Sequence, residues 1–309
     1  MIRTAYFMAL AIFSTTTFAQ ADTSVLPAVP DGVQAISLLG EELKSAEPNE
    51  RLLENLATAR AEYERDPDDA DNIIWLGRRI AYTGDFRGAI EVFSEGIGKH
   101  PDDARFYRHR GHRYISIREL DRAIADFEHA ARLIAGTEDE VEPDGAPNAA
   151  GIPVSTLHSN IWYHLGLAYY LKGDLDNALR VYEIAMAQTP NDDMRVATTH
   201  WHYMTLRLLG RDEEARAVLE PIHEDMNVIE SMPYHQLCLM YKGESETGTV
   251  LSANVTEAGG DSAMYGIANW HYYNGRLDEA KAGFEEMLAK SGWASFGRIA
   301  AESDLARKY

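Results

Sequence analysis

Eleven histidines are spread through the 309 residues. Two of them, His109 and His112, stand three apart, the spacing that puts both on one face of a helix. Imidazoles so placed suit a zinc or copper ion. The motifs that accompany such chemistry in enzymes are missing, however: the chain has no GxxxxGK, no GxSxG and no HExxH. His223-Glu224 lacks the second histidine that would put two zinc ligands on one helix face. A single cysteine, Cys238, cannot close an internal disulfide and rules out zinc ribbons, iron–sulfur sites and CxxC redox chemistry. In its apolar run, 237–240, it reads as a buried thiol. The triplet Asn254-Val255-Thr256 would accept a glycan only in a eukaryotic secretory route. The residues therefore imply no enzyme, no cofactor and no resident metal, and function is to be sought on surfaces.

With 45% hydrophobic, 10% aromatic and 25% charged residues, the chain has enough apolar material for a sizeable core. Asp and Glu number 49 against 29 Lys and Arg, a formal charge of −20. A surface that acidic repels phosphate backbones and anionic lipid headgroups, so nucleic acid is excluded as a partner.

Residues 1–21 have the layout of a secretory signal peptide. Arg3 is followed by an apolar run over 5–13, then Ser and Thr, then the small-residue site Ala19-Gln20-Ala21, with cleavage expected after Ala19 or Ala21. The run is shorter than the roughly 20 residues a bilayer span needs, and no later segment is apolar enough for one. An exported protein, periplasmic or secreted, is the expectation.

The elements that must position any site are set by internal repetition. Gly77 and Gly111 lie 34 residues apart, as do Pro67 and Pro101. Pro-Asp-Asp recurs at both prolines, and Pro190 opens a related Pro-Asn-Asp. Around each glycine the apolar residues follow helical spacing for about a dozen positions, then a short turn and a second such run. The unit is a helical hairpin. In the clearest copy, 159–192, Trp162, Leu165, Gly166 and Tyr169 mark the first helix, Gly173-Asp174 the turn, Ala178, Tyr182 and Ala185 the second helix, and Pro190 the end.

This pattern resembles the tetratricopeptide repeat, with Tyr182 for the usual Phe. A copy over 70–103 keeps Leu76, Gly77, Gly84, Ala89, Phe93 and Pro101. One from 104 keeps Tyr107, Gly111, Tyr114, Ala123, Phe127 and Ala130, but has Arg118 for the turn glycine. Weaker copies start near 196 and 261. The resemblance implies an all-α, right-handed superhelical solenoid over 50–292, closed by a C-terminal capping helix over 293–309. Residues 50–66 read as the second helix of a degenerate leading hairpin, with 32–44, inside the N-terminal segment 22–49, as its first helix. A further degenerate copy is expected over 230–260. About 20 residues, 136–156, rich in Asp, Glu, Pro, Gly and Ala, are inserted between two copies, either as a solvated loop or as a flap over a binding face.

The family resemblance also implies a concave groove lined by the first helices. Its groove places fall on Arg78, Tyr82, Arg105, Arg108, His109, His112, Asn160, Tyr163, His164, Tyr170, His200, Trp201, Arg207, Tyr265, Asn269 and Tyr272, a basic and aromatic set in an acidic chain. The binding candidates are Arg78, Arg105, Arg108, His109, His112, Asn160, Tyr163, His164, His200, Arg207, Asn269 and Tyr272. Guanidinium groups grip carboxylates, Asn bonds peptide backbone, and rigid rings add contact area. The expected partner is a protein or peptide segment rich in carboxylates. Family members that capture a C-terminal carboxylate use a Lys and Asn clamp; here Ile74 and Arg78 stand at those places, so that specificity is not implied. The alternatives are a metal or catalytic site where His109, His112, His164 and His200 converge, and a purely structural role in which these cations pair with the acidic helices or the acidic insert.

Overall fold

A computed structural model describes residues 25–253, 257–289 and 292–309. The expected signal peptide and the 254–256 triplet lie outside the described residues. The helix expected over 32–44 does not form. In its place β1 (Ala35–Ile36) pairs antiparallel with β2 (Glu42–Leu43), Ala35 opposite Leu43 and Ile36 opposite Glu42. The Ser37 hydroxyl accepts hydrogen bonds from the Leu39 and Glu41 N–H groups, and Gly40 takes a φ of 87°, so a turn interrupts the stretch at its middle. The first helix, α1 (Glu50–Arg65), thus packs on its successor with no helix before it among the described residues.

Six hairpins follow among the described residues: α2 (Ala70–Tyr82) with α3 (Phe86–Lys99), α4 (Ala104–Ser116) with α5 (Leu120–Leu133), α6 (Leu157–Lys172) with α7 (Leu175–Ala187), α8 (Asp192–Leu208) with α9 (Asp212–Leu219), α10 (Met232–Lys242) with α11 (Thr247–Ala253), and α12 (Glu257–Tyr273) with α13 (Leu277–Leu288). A last helix, α14 (Phe296–Lys308), ends the all-α solenoid. The copy expected over 230–260 is present as α10 and α11; the latter is only seven residues long and turns Val250 into the core.

The recurring phrases have local jobs. In Pro67-Asp68-Asp69 and Pro101-Asp102-Asp103 the final Asp side chain caps the next helix, accepting from Asn72 N–H and Arg105 N–H respectively; in the third copy Asn191 caps α8. The repeated glycine permits close approach. A Cβ on Gly77 would lie 2.4 Å from the buried ring of Phe93, whereas one on Gly111 would lie 3.0 Å from Phe127. The turn between the helices of a hairpin needs a left-handed residue. Gly84, Gly173, Gly210, Gly243 and Gly275 supply it, and in the second hairpin Arg118 does so at φ 67°.

The solenoid winds so tightly that its first helices press on one another. α8 and α12 are in contact, the Tyr170 and Tyr265 hydroxyls lie 2.7 Å apart, and the side-chain amide of Asn269 donates to Tyr170 Oη at 2.8 Å. The capping helix covers α12 and α13 as expected, and it also crosses to α6. There Ser303 donates to the Leu171 carbonyl, and Arg307 donates to the same oxygen at 2.7 Å. Helix α6 is consequently buried almost all round, which an open groove wall would not be.

The graded glycine contacts give a test. Alanine in a helix interior gains up to about 1 kcal/mol over glycine. Displacing a packed ring costs about 1–3 kcal/mol. Gly77→Ala is expected to destabilise by about 1–2 kcal/mol in urea denaturation, and Gly111→Ala to be near neutral; equal effects would mean that ring contact does not set the glycine requirement.

Candidate peptide-binding groove

The twelve candidates divide into four sets. Six come together where α2, α4 and α6 face the insert. The insert is tied at its base by a β-bridge from Val141 to Thr156, with Glu142 N–H donating to the Ser155 carbonyl at 3.0 Å. From there it runs across the helices. Glu142 approaches Arg108, Nε to Oε2 3.0 Å, and accepts from the Asn160 side-chain amide at 2.9 Å. Arg78 donates to the Pro143 carbonyl and Arg79 to the Gly145 carbonyl, each at 2.8 Å. Gly145 passes so close to Tyr82 that a Cβ there would meet its hydroxyl at 1.9 Å. His109 stacks on Phe93 and holds its Nε2 3.9 Å from Glu142; His112 lies 4.8 Å from the ring of His164, and both pack on Phe296 of α14.

Burial sets the charge state of this cluster. His109 and His112 are held well below the usual imidazole range by desolvation and then by neighbouring guanidinium groups, and His164 is brought down to about 3 for the same reasons. At neutral pH the imidazoles are uncharged, and the positive charge belongs to the arginines.

Three candidates lie in the core rather than on a groove. Tyr163 accepts from Trp201 Nε1 at 2.9 Å, Asn269 is fully enclosed beside Tyr170 and Met204, and His200 is stacked on Tyr241 with its Nδ1 3.2 Å from that hydroxyl. The assignment of a groove place presumes first helices spread around an open concavity. Here they touch, so those places point into protein. Two candidates stand at the margins: Arg105 pairs with Asp103 and Asp71, and Arg207 with Asp212 and Tyr203. Tyr272 lies under α14, with Lys308 Nζ 3.8 Å from its ring centre. His200 does not join the other histidines. Among the described residues no group of three or more His, Cys, Asp or Glu could hold a metal ion, and no helix is long and apolar enough to cross a membrane.

Sequence reasoning missed Arg79, Arg113 and Glu142. A signal for Arg113 existed: α4 carries four arginines and no acid in an acidic chain. Glu142 gave none, because nothing in a loop's composition says which carboxylate turns inward.

Models of the tetratricopeptide repeat match residues 76–137 and 159–192. These two stretches are tetratricopeptide repeats. All of the insert but its first two residues falls between the two matched stretches. Over 140 residues the chain is 25% identical to the BBSome complex member BBS4 of Bos taurus, covering 45% of this chain and 23% of that protein, so it spans about a quarter of the relative's length. Among solved structures it is similar to a tetratricopeptide repeat protein from Parabacteroides merdae (12% identity, 81% of this chain and 92% of that one, TM-score 0.47). It is also similar to YrrB, described as a TPR protein with an unusual peptide-binding site (16% identity, 74% and 97%, TM-score 0.41).

In this tetratricopeptide-repeat chain, His200 of α8 makes stability depend on pH. Burial holds it down to about 3, whereas an unfolded histidine titrates near 6.5. The unfolded state therefore binds more protons between these values. The contribution is complete above about pH 6.5 and is lost as pH falls toward 3. Between pH 7 and pH 5 that one residue accounts for about 2 kcal/mol. His200→Phe, which keeps a ring against Tyr241, is expected to reduce the loss of stability over that interval by about this amount in urea melts; parallel curves for the two proteins would show that His200 is not a source of the acid sensitivity.

Proposed function

We propose that this chain is an exported, non-enzymatic scaffold that binds a protein or peptide segment carrying carboxylates at the α2, α4 and α6 end of its concave face, in the seat its own insert occupies. Tetratricopeptide repeats build protein- and peptide-binding scaffolds. One observation carries the finer reading: the insert lies on these helices as an extended acidic peptide would. The Glu142 carboxylate is engaged by Arg108 and Asn160, and the next main-chain carbonyls are taken by Arg78 and Arg79. Such charge-assisted contacts read an acidic side chain and its backbone without demanding a particular sequence beyond them. The net charge of −20 argues against nucleic acid competing for this seat.

An intramolecular occupant lowers apparent affinity by the fraction of time it holds the seat. Replacing 138–150 by a Gly-Ser linker is expected to tighten binding of fluorescent acidic peptides about 10-fold or more, measured by anisotropy. Arg108→Met is expected to abolish that binding in both backgrounds. Equal binding of Glu-containing and Gln-substituted peptides, or indifference to Arg108→Met, would overturn the reading.

Export rests on the layout of residues 1–21. Protein recovered from a cell that exports it is expected to begin at Gln20 or Asp22 by N-terminal sequencing; recovery solely with Met1 intact would remove the exported half of the proposal.

A further inference from the structure

Beneath the insert lies a partly enclosed cavity of about 110 Å³, bordered by Arg78, Arg108, Arg113, His109, His112 and Glu142. A water's share of liquid volume is about 30 Å³, so the space holds several atoms beyond a single solvent molecule. Its walls are unbalanced. Three guanidinium groups face one carboxylate, and the two imidazoles are neutral for the reasons given above. Asp144 stands beside Arg78 without bordering the space, so the excess of positive charge remains.

The three arginines also differ in how far they are used. Arg78 gives one N–H to the Pro143 carbonyl. Arg108, nine-tenths buried, gives one to His109 Nδ1 at 3.0 Å, but its Nε–H has no acceptor in line although Glu142 is close. Arg113 makes no hydrogen bond or ion pair among the described residues; its guanidinium rests 5.3 Å from the centre of the Phe86 ring. The mutual repulsion is felt: burial, with Arg108 and Arg78 nearby, pulls Arg113 down to about 10. An unused planar fork beside two further guanidinium groups, in a space of this size, is what a multiply charged oxyanion needs, since each fork matches two oxygens.

We infer that this cavity binds a small, multiply charged oxyanion, of the size of inorganic phosphate or a short dicarboxylate, with Arg113 as its principal ligand and Arg78 and Arg108 completing the site. The site is roofed by the seated insert. An anion there ties α2 and α4 together under it and favours the closed form over the open one. The inference does not depend on any peptide taking the insert's place, because the site exists in the chain by itself.

The full-length protein is titrated with phosphate, with succinate and with chloride at matched ionic strength, following the melting midpoint and, for phosphate, the broadening of its phosphorus resonance. A saturable rise in midpoint with phosphate or succinate that chloride does not reproduce is expected. A response to phosphate alone assigns a phosphoryl ligand, and a response to succinate a dicarboxylate. Arg113→Gln is expected to weaken binding at least about 10-fold. Should that variant melt too low to titrate, Arg113→Lys keeps the charge and stem but loses the fork, and is expected to weaken binding several-fold. No saturable rise over chloride, or an unchanged affinity in both Arg113 variants, would overturn the site.

Discussion

Arg118 holds a backbone conformation at φ 67° that side chains other than glycine rarely adopt, a cost of about 1–2 kcal/mol. Its guanidinium is meanwhile buried against Glu302, 184 residues along the chain, with Nε 3.0 Å from Oε2, and it also donates to the carbonyls of Ser116 and Trp293. A buried ion pair of this kind is poor evidence of net stability, since desolvation of both charges offsets most of the attraction. What it supplies is position: only one placement of α14 satisfies both partners. Leu38 N–H of the β-hairpin also approaches Glu302, at 3.4 Å, and Trp293 Nε1 donates to the Lys44 carbonyl at 2.7 Å. Through these contacts the two ends of the solenoid meet over the turn between α4 and α5, and a closed superhelix replaces an open one.

Closure determines how the charge is distributed. Several of the buried cations are answered by acids from distant parts of the chain. Glu142 descends from the insert onto Arg108, and Glu302 and Asp304 arrive on α14, where Asp304 also accepts from the Tyr265 hydroxyl at 3.1 Å. The chain's surplus acid is therefore not all solvent-facing. Part of it fills the concavity as two separate plugs.

The hairpins were legible because each depends on contacts within about 20 residues: Gly77 against Phe93, Gly166 against Tyr182, and an Asp or Asn cap at the start of a helix. The winding was not. Whether His200, Tyr163 and Asn269 face a groove or a core depends on how far successive first helices rotate, and that angle is set by packing such as Trp201 stacked on Tyr265, from hairpins two apart. The anomaly at Arg118 was visible as a missing glycine, but its compensation lies at Glu302 and no spacing rule connects the two. The β-hairpin was misread because apolar residues at 33, 35 and 43 suit helix or strand alike, and the turn at Ser37 and Gly40 decided the outcome.

The two plugs are not equivalent, and the difference settles where a closed tetratricopeptide solenoid of this kind would open. Lifting α14 exposes Ile299, Ala300, Ala301 and Leu305, all buried. The two larger side chains alone represent about 3–6 kcal/mol of transfer to water. It also strands Arg118 without Glu302. The insert brings little apolar burial: Val154 is covered, while Val141 and Ile152 stay more than half exposed. Its hold on α2, α4 and α6 is mainly polar: the Asp139 and Glu142 carboxylates, the Ser155 hydroxyl and two main-chain carbonyls. On the proposed reading, an incoming acidic segment restores the contacts to Arg108, Arg78 and Arg79 as it displaces them. Exchange at the insert thus costs chiefly the ordering of the newcomer, whereas exchange at α14 costs a hydrophobic face and a buried charge. On the proposed reading the face under α14 stays covered, and the exchangeable face is the one under the insert.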